Sequence, residues 1–225
     1  MFARTAWTVF RKDLTVEVRS RETVATTLFF ALSAVIVFSV ALVKEGRVVA
    51  DAASGILWVA IAFAGTLTLG RTFERERYTD TLRALLLAPA PRAAIYVGKL
   101  LAVLAVLLLV EAMLVPLVAL LFDAALLQRP VLLLALLVTG TIGFASVGTL
   151  FAAMLVRARS RDVLLPVLLY PMTIPVIIAG VRGTAALVQP VPDEPMATFW
   201  LMLLVSFDTV FVTLALWTFD PLMTD

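Results

Sequence analysis

The chain has 225 residues, 62% of them hydrophobic, with a mean hydropathy of +1.06 and a net charge of +2. Soluble domains are about 45–50% apolar, so the composition specifies an integral membrane protein and leaves no room for a large soluble domain. Cysteine and histidine are both absent, which excludes disulfides, thiolate metal sites and a thiol nucleophile, and removes the commonest general base, metal ligand and axial haem ligand.

In the first 22 residues, Phe2, Ala6, Phe10, Leu14 and Val18 recur at every fourth position, with Trp7 beside them. Arg4, Arg11, Lys12 and Arg19 occupy other faces. This pattern predicts an amphipathic helix lying in the membrane interface; a basic tail that only sets topology is the plainer alternative. Six apolar segments follow, at 23–43, 52–70, 100–122, 131–156, 163–180 and 199–219. A helix needs about 20 apolar residues to cross a bilayer core of roughly 30 Å. The expected fold is therefore all-α, one membrane domain over 1–225 with six spans, the fourth long enough to tilt or project.

Of the 18 Lys and Arg residues, all but Lys44, Arg47, Arg129 and Arg182 fall on the side of the N-terminus. The positive-inside rule then predicts cytoplasmic N- and C-termini. Ala50-Asp51-Ala52 has the look of a signal-peptidase site, but the apolar run before it is too long and the basic region too extended for a cleaved leader.

Between the second and third spans lies a charged stretch, residues 71–99. Tyr78, Leu82, Leu85 and Leu86 fall at i, i+4, i+7 and i+8 and form one apolar stripe, with Glu74, Glu76, Asp80 and Arg83 around it. Thr79 or Thr81 could cap a short helix, and Ala88-Pro89-Ala90-Pro91 must end it. Residues 92–99 lead back to the bilayer. Two readings are open: a grip for a cytoplasmic partner, or an interfacial helix packed on its own bundle. Just before it, Gly65-Thr-Leu-Thr-Leu-Gly70-Arg71-Thr72 imitates a phosphate-binding loop. A true one follows a strand, whereas this one follows a membrane span, so the chain is not expected to bind nucleotide or power transport alone.

Glu111 and Asp208 lie near the middles of the third and sixth spans. An ionised acid there costs roughly 2.5–3.5 kcal/mol or more, so it faces a cavity, pairs or stays protonated. A substrate path, a proton relay and a protonated acid bonded between helices all fit. Pro166, Pro171 and Pro175 punctuate the fifth span and predict a broken helix lining a cavity or hinge, or a static kink. Thr141, Ala145, Thr149 and Ala153 recur every four residues in the fourth span, a close-packing pattern that also suits a subunit interface. Trp58 and Trp200 near span ends fit an interfacial belt.

The run FERERYTDTLRALLLAPAPRAAIYVGKLLAVLAVLLLVEAMLVPLVALLF (73–122) resembles the haem exporter protein B family, the permease subunit of the ABC-type system for maturation of c-type cytochromes. The resemblance extends to the basic N-terminal helix, the glutamate in the third span and the proline-rich fifth span. It implies a type-2 ABC exporter permease fold in a prokaryotic inner membrane. It also implies that Phe73, Glu74, Arg75, Glu76, Arg77, Tyr78, Thr79, Leu82, Arg83, Leu85 and Leu86 form a coupling helix seated in a separate cytoplasmic ATPase. The implied partners are that ATPase, a second permease copy, a haem-handling membrane subunit, a small single-span subunit and a periplasmic haem chaperone. A partner in nucleic acid is not expected. Haem would be cargo rather than a resident cofactor, ATP would act only through the partner, and the chain would be no enzyme itself. An ABC permease for another lipid or drug, and a proton-coupled secondary transporter built on Glu111 and Asp208, are the alternatives.

Overall fold

Inside a bilayer every backbone N–H and C=O must find its partner within the protein, and a helix achieves this within one segment. The computed structural model describes residues 1–44, 47–48, 52–73, 91–156 and 158–222. Among these are seven α-helices: α1 (Phe2–Ser20), α2 (Glu22–Ala41), α3 (Ala53–Arg71), α4 (Arg92–Leu121), α5 (Pro130–Met154), α6 (Arg161–Val188) and α7 (Glu194–Leu222). All but α1 are long and apolar enough to cross a membrane. A two-residue antiparallel ribbon, Val43–Lys44 with Arg47–Val48, links α2 towards α3.

Helix ends differ from the apolar runs where a cap or proline governs them. The third span begins at Arg92 rather than at 100, because Pro91 serves as N-cap and its carbonyl accepts from Ala94 N at 2.9 Å. Residues 92–99 are thus helix, not loop. At 30 residues and about 1.5 Å per residue, α4 outreaches a bilayer core. The sixth span starts at Glu194, where the Asp193 carboxylate accepts from Met196 N at 3.0 Å. Between α1 and α2 the chain turns at Arg21 (φ 55°), and Glu17 Oε1 accepts from Val24 N at 2.9 Å, capping the new helix from the old one.

The prolines do not break α6. Pro166, Pro171 and Pro175 all lie within Arg161–Val188. Pro171 and Pro175 are on its exposed face. The inward face carries Leu165, Leu169, Thr173, Val176, Gly180 and Thr184, all buried. Each proline removes one i→i−4 bond, and Pro171 and Pro175 do so where α6 is left exposed by the described residues.

At the centre stands α3, packed on α2, α4, α5 and α6. Trp58 is buried there at 2% exposure and is not an interfacial anchor. Its ring lies against Gly140 of α5 and Gly180 of α6, where any β-carbon would collide with it. Its indole Nε1 donates to Thr184 Oγ1 at 3.0 Å. Trp200 is only half-buried. The small residues Thr141, Ala145, Thr149 and Ala153 are all buried within the chain, so their face of α5 packs internally and presents no subunit interface.

Helix α1 lies on the start of α4. The buried face is Ala6 and Val9 with Phe10 and Leu14 half-buried beside them, so the middle of the expected stripe turns towards the bundle while Phe2, Trp7 and Val18 are exposed. Gly98 decides this. A β-carbon there would stand 2.7 Å from both Ala6 O and Val9 Cβ, so the small side of α1 must face α4. The remaining apolar side, with Arg4 and Arg11 also exposed, is left outward, as an interfacial helix requires. Gly98→Ala is expected to lower stability by about 1–3 kcal/mol through overpacking. Gly55→Ala, with nothing within 4 Å of the added carbon, should be neutral or slightly stabilising. Thermal unfolding of the two purified variants in the same detergent measures the contrast.

Candidate functional site

Of the expected coupling residues, Phe73 is described; Glu74, Arg75, Glu76, Arg77, Tyr78, Thr79, Leu82, Arg83, Leu85 and Leu86 lie outside the described residues. What the structure does define is the anchorage from which that segment departs. A helix C-terminus leaves carbonyls without intrahelical donors and carries the negative end of the helix dipole. The end of α3 meets this need with two buried cations from other helices. Arg161, at the start of α6, donates through Nη2 to Leu69 O at 3.2 Å and to Gly70 O at 2.6 Å. Lys99, in the second turn of α4, donates through Nζ to Thr72 O at 3.0 Å.

Burial of both cations is nearly complete, at 1% exposure for Lys99 and 3% for Arg161. Such charges persist only with opposite charge or several oxygens around them. For Lys99 the counter-charge is Asp13 of α1, with Oδ2 at 2.9 Å. The other carboxylate oxygen of Asp13 lies 3.0 Å from Lys12 Nζ. Lys99 Nζ also stands 5.0 Å from the centroid of the buried Phe73 ring, within cation–π range. A looser exposed pair, Arg71 to Glu22 at 3.4 Å, adds α2. Five helices therefore meet at the last turn of α3. Lys99 and Arg161 entered the sequence reading only as topology charges. The available signal was a cation placed a full turn inside an apolar helix, and its partner Asp13 on the mainly basic α1.

Deeper in the bundle, the two intramembrane acids are held apart. Thr141 Oγ1 of α5 donates to Glu111 Oε1 of α4. Glu111 is 3% exposed, and its Oε2 has no hydrogen-bond partner among the described residues. Asp208 of α7 packs on the other side of α5: a β-carbon on Gly143 would lie 2.7 Å from Asp208 Oδ1. Residues 141 and 143 point about 200° apart around a helix. Glu111 and Asp208 thus occupy opposite faces of α5. Glu111 bridges helices, and Tyr96 does likewise near the α1 end, donating to Ser146 O at 3.0 Å. Among the described residues no group of His, Cys, Asp and Glu is arranged to hold a metal ion.

Comparison with known proteins adds a family to this geometry. Residues 4–221 match the family model described as CcmB protein. The chain is 30% identical over 194 residues to heme exporter protein B of Pseudomonas aeruginosa, covering 86% of this chain and 83% of that protein. It is 31% identical over 192 residues to heme exporter protein B of Rhodobacter capsulatus, covering 83% and 87%. The match to heme exporter protein B of Escherichia coli K12, 33% identical over 96 residues, covers only 43% of this chain and 44% of that protein.

If Glu111 acts as a bridge, Glu111→Gln keeps an acceptor for Thr141 and leaves stability nearly unchanged. Thr141→Val removes the bond and is expected to cost about 0.5–2 kcal/mol, the range for interhelical hydrogen bonds in membranes. Detergent unfolding midpoints of the two single variants and the double variant measure the coupling.

Proposed function

The chain belongs to the CcmB protein family, and we propose that it is the permease subunit of an ABC-type haem exporter acting in c-type cytochrome biogenesis. The match across residues 4–221 carries this reading. Six helices of spanning length and composition fit a multi-pass protein of the inner membrane. The basic-residue asymmetry favours cytoplasmic termini, which puts the α3 end, Lys99 and Arg161 on the cytoplasmic side.

In this reading the segment between Phe73 and Pro91 engages a separate ATPase through Glu74, Arg75, Glu76, Arg77, Tyr78, Thr79, Leu82, Arg83, Leu85 and Leu86, while Phe73, expected from the sequence to share that contact, is buried beside Lys99 and anchors the segment instead. Closure of the ATPase pushes on this segment, and the spans respond. The chain hydrolyses nothing. A second permease copy, a haem-handling membrane subunit, a small single-span subunit and a periplasmic haem chaperone complete the machine. Haem passes as cargo, and its ligation falls to those partners, since the chain has no histidine or cysteine. The placement of Glu111 and Asp208 on opposite faces of α5 favours this ATP-driven reading over proton coupling through a paired relay.

Reversing both charges in Glu74→Lys/Glu76→Lys is expected to weaken ATPase binding on the order of tenfold or more, since like charges set against a complementary surface cost several kcal/mol. Co-purification of the ATPase with the tagged double variant, and haem staining of the c-type cytochromes the cells make, measure it. Undiminished binding and cytochrome yield would refute the coupling role of these residues.

A further inference from the structure

We propose that Lys99 and Arg161 are positioning residues for force transmission: they lock the last turn of α3 to α1, α4 and α6, so that a load arriving beyond Phe73 moves these helices as one body. This rests on the reading of the following segment as the ATPase-coupling element. The physical problem it solves is general. A helix end is its softest part, because its last carbonyls lack intrahelical donors and the terminal turn frays. A load applied at such an end is spent in unwinding that turn before it reaches the body of the helix.

Here the carbonyls of Leu69, Gly70 and Thr72 are held by side chains from elsewhere in the fold. These are charge-assisted hydrogen bonds, roughly twice as strong as neutral ones. Their donors are rooted near the start of two other spans. Lys99 is further tied to Asp13, and the backbone of α1 lies against Gly98, the residue before it. Phe73, the last described residue before the charged segment, is wholly buried beside Lys99. The route is continuous: Phe73 and Thr72 to Lys99, Lys99 to Asp13 and α1, and Leu69 and Gly70 to Arg161 and α6. Helix capping alone would not require the donors to come from two different spans, nor a counter-ion on a third helix.

The test uses the intact membrane complex, with Lys99→Met and Arg161→Met beside the conservative Lys99→Arg and Arg161→Lys. The methionine variants are expected to retain the ATPase subunit and its hydrolysis within about twofold, while the yield of c-type cytochrome falls on the order of tenfold, within the range of typical coupling between sites. The conservative variants should recover most of that yield. Unchanged cytochrome yield in both methionine variants overturns the proposal. So does a parallel loss of chain, bound ATPase and yield that the conservative variants do not relieve, since that marks a purely structural role. Hydrogen exchange on the wild-type complex supplies an arm free of substitutions. A non-hydrolysable ATP analogue should change protection at the end of α3, in α1 and at the start of α6 together, and a change confined to α3 counts against the lock. A wild-type chain that brings down no ATPase at all refutes the proposed function itself, which separates that failure from this one.

Discussion

Apolar helices in lipid gain little by leaving lipid for one another, because hydrocarbon chains solvate leucine as well as leucine does. What remains is contact: dispersion between surfaces that fit, interhelical hydrogen bonds, and backbones that come close enough to use both. This bundle depends on that closeness. Trp58 lies in a cradle formed by Gly140 and Gly180, Phe144 lies over Gly65, and Leu69 over Gly148. At each place a large side chain on one helix occupies the space a β-carbon would need on another. The indole bond to Thr184 then fixes the orientation of the ring that joins α3, α5 and α6.

Polar groups in the same medium have few places to go, and they are distributed accordingly. Hydroxyls inside the spans mostly bond to their own helix one turn back, as Thr66 does to Ala62 O and Thr173 to Leu169 O. Others cross between helices: Trp58 to Thr184, Tyr96 to Ser146, Thr141 to Glu111, and Thr66 also to Tyr170. Full charges are kept to the α1 end, where Lys99 and Arg161 complete the end of α3, and to the opposite end, where Arg129 meets Glu194 at 2.6 Å. The charged pairs thus sit where the dipoles of helix termini and the water boundary lower the cost of burying them. The end of α3 is the best-secured of these places. It is also where the chain leaves the bundle towards the segment proposed to meet the ATPase.

Much of the architecture was legible in the chain because a bilayer imposes a one-dimensional rule. A span must be a long apolar run, and six such runs are visible without any knowledge of what they touch. Glu111 was legible as an anomaly for the same reason. Its partner was not, since any hydroxyl on a neighbouring helix would serve, and only packing selects Thr141. The periodicity of α1 was read as one stripe in the membrane interface, yet Ala6, Phe10 and Leu14 of that stripe turn inward with Val9 and leave Phe2, Trp7 and Val18 outside. Both sides are apolar enough, and the choice belongs to Gly98 across the contact. The prolines of α6 were read as a break because proline costs a helix one bond. That cost does not reveal which face it falls on, and here Pro171 and Pro175 fall on the face that the described residues leave exposed.

The amino-acid sequence by itself determined the class of protein, the number of spans, the charge asymmetry across the membrane and the charged segment between the second and third spans. Each follows from the local composition of a continuous stretch. Only the tertiary structure decided that Trp58 is a core residue, that Glu111 and Asp208 are separated by α5, and that Lys99 and Arg161, counted in the charge asymmetry, also cap α3. Each of those depends on a partner far along the chain: Arg161 on carbonyls 92 and 91 residues away, Trp58 on a hydroxyl 126 residues away. No pattern within one helix records which neighbour it will meet; that is set when glycines and small side chains allow two particular helices to touch.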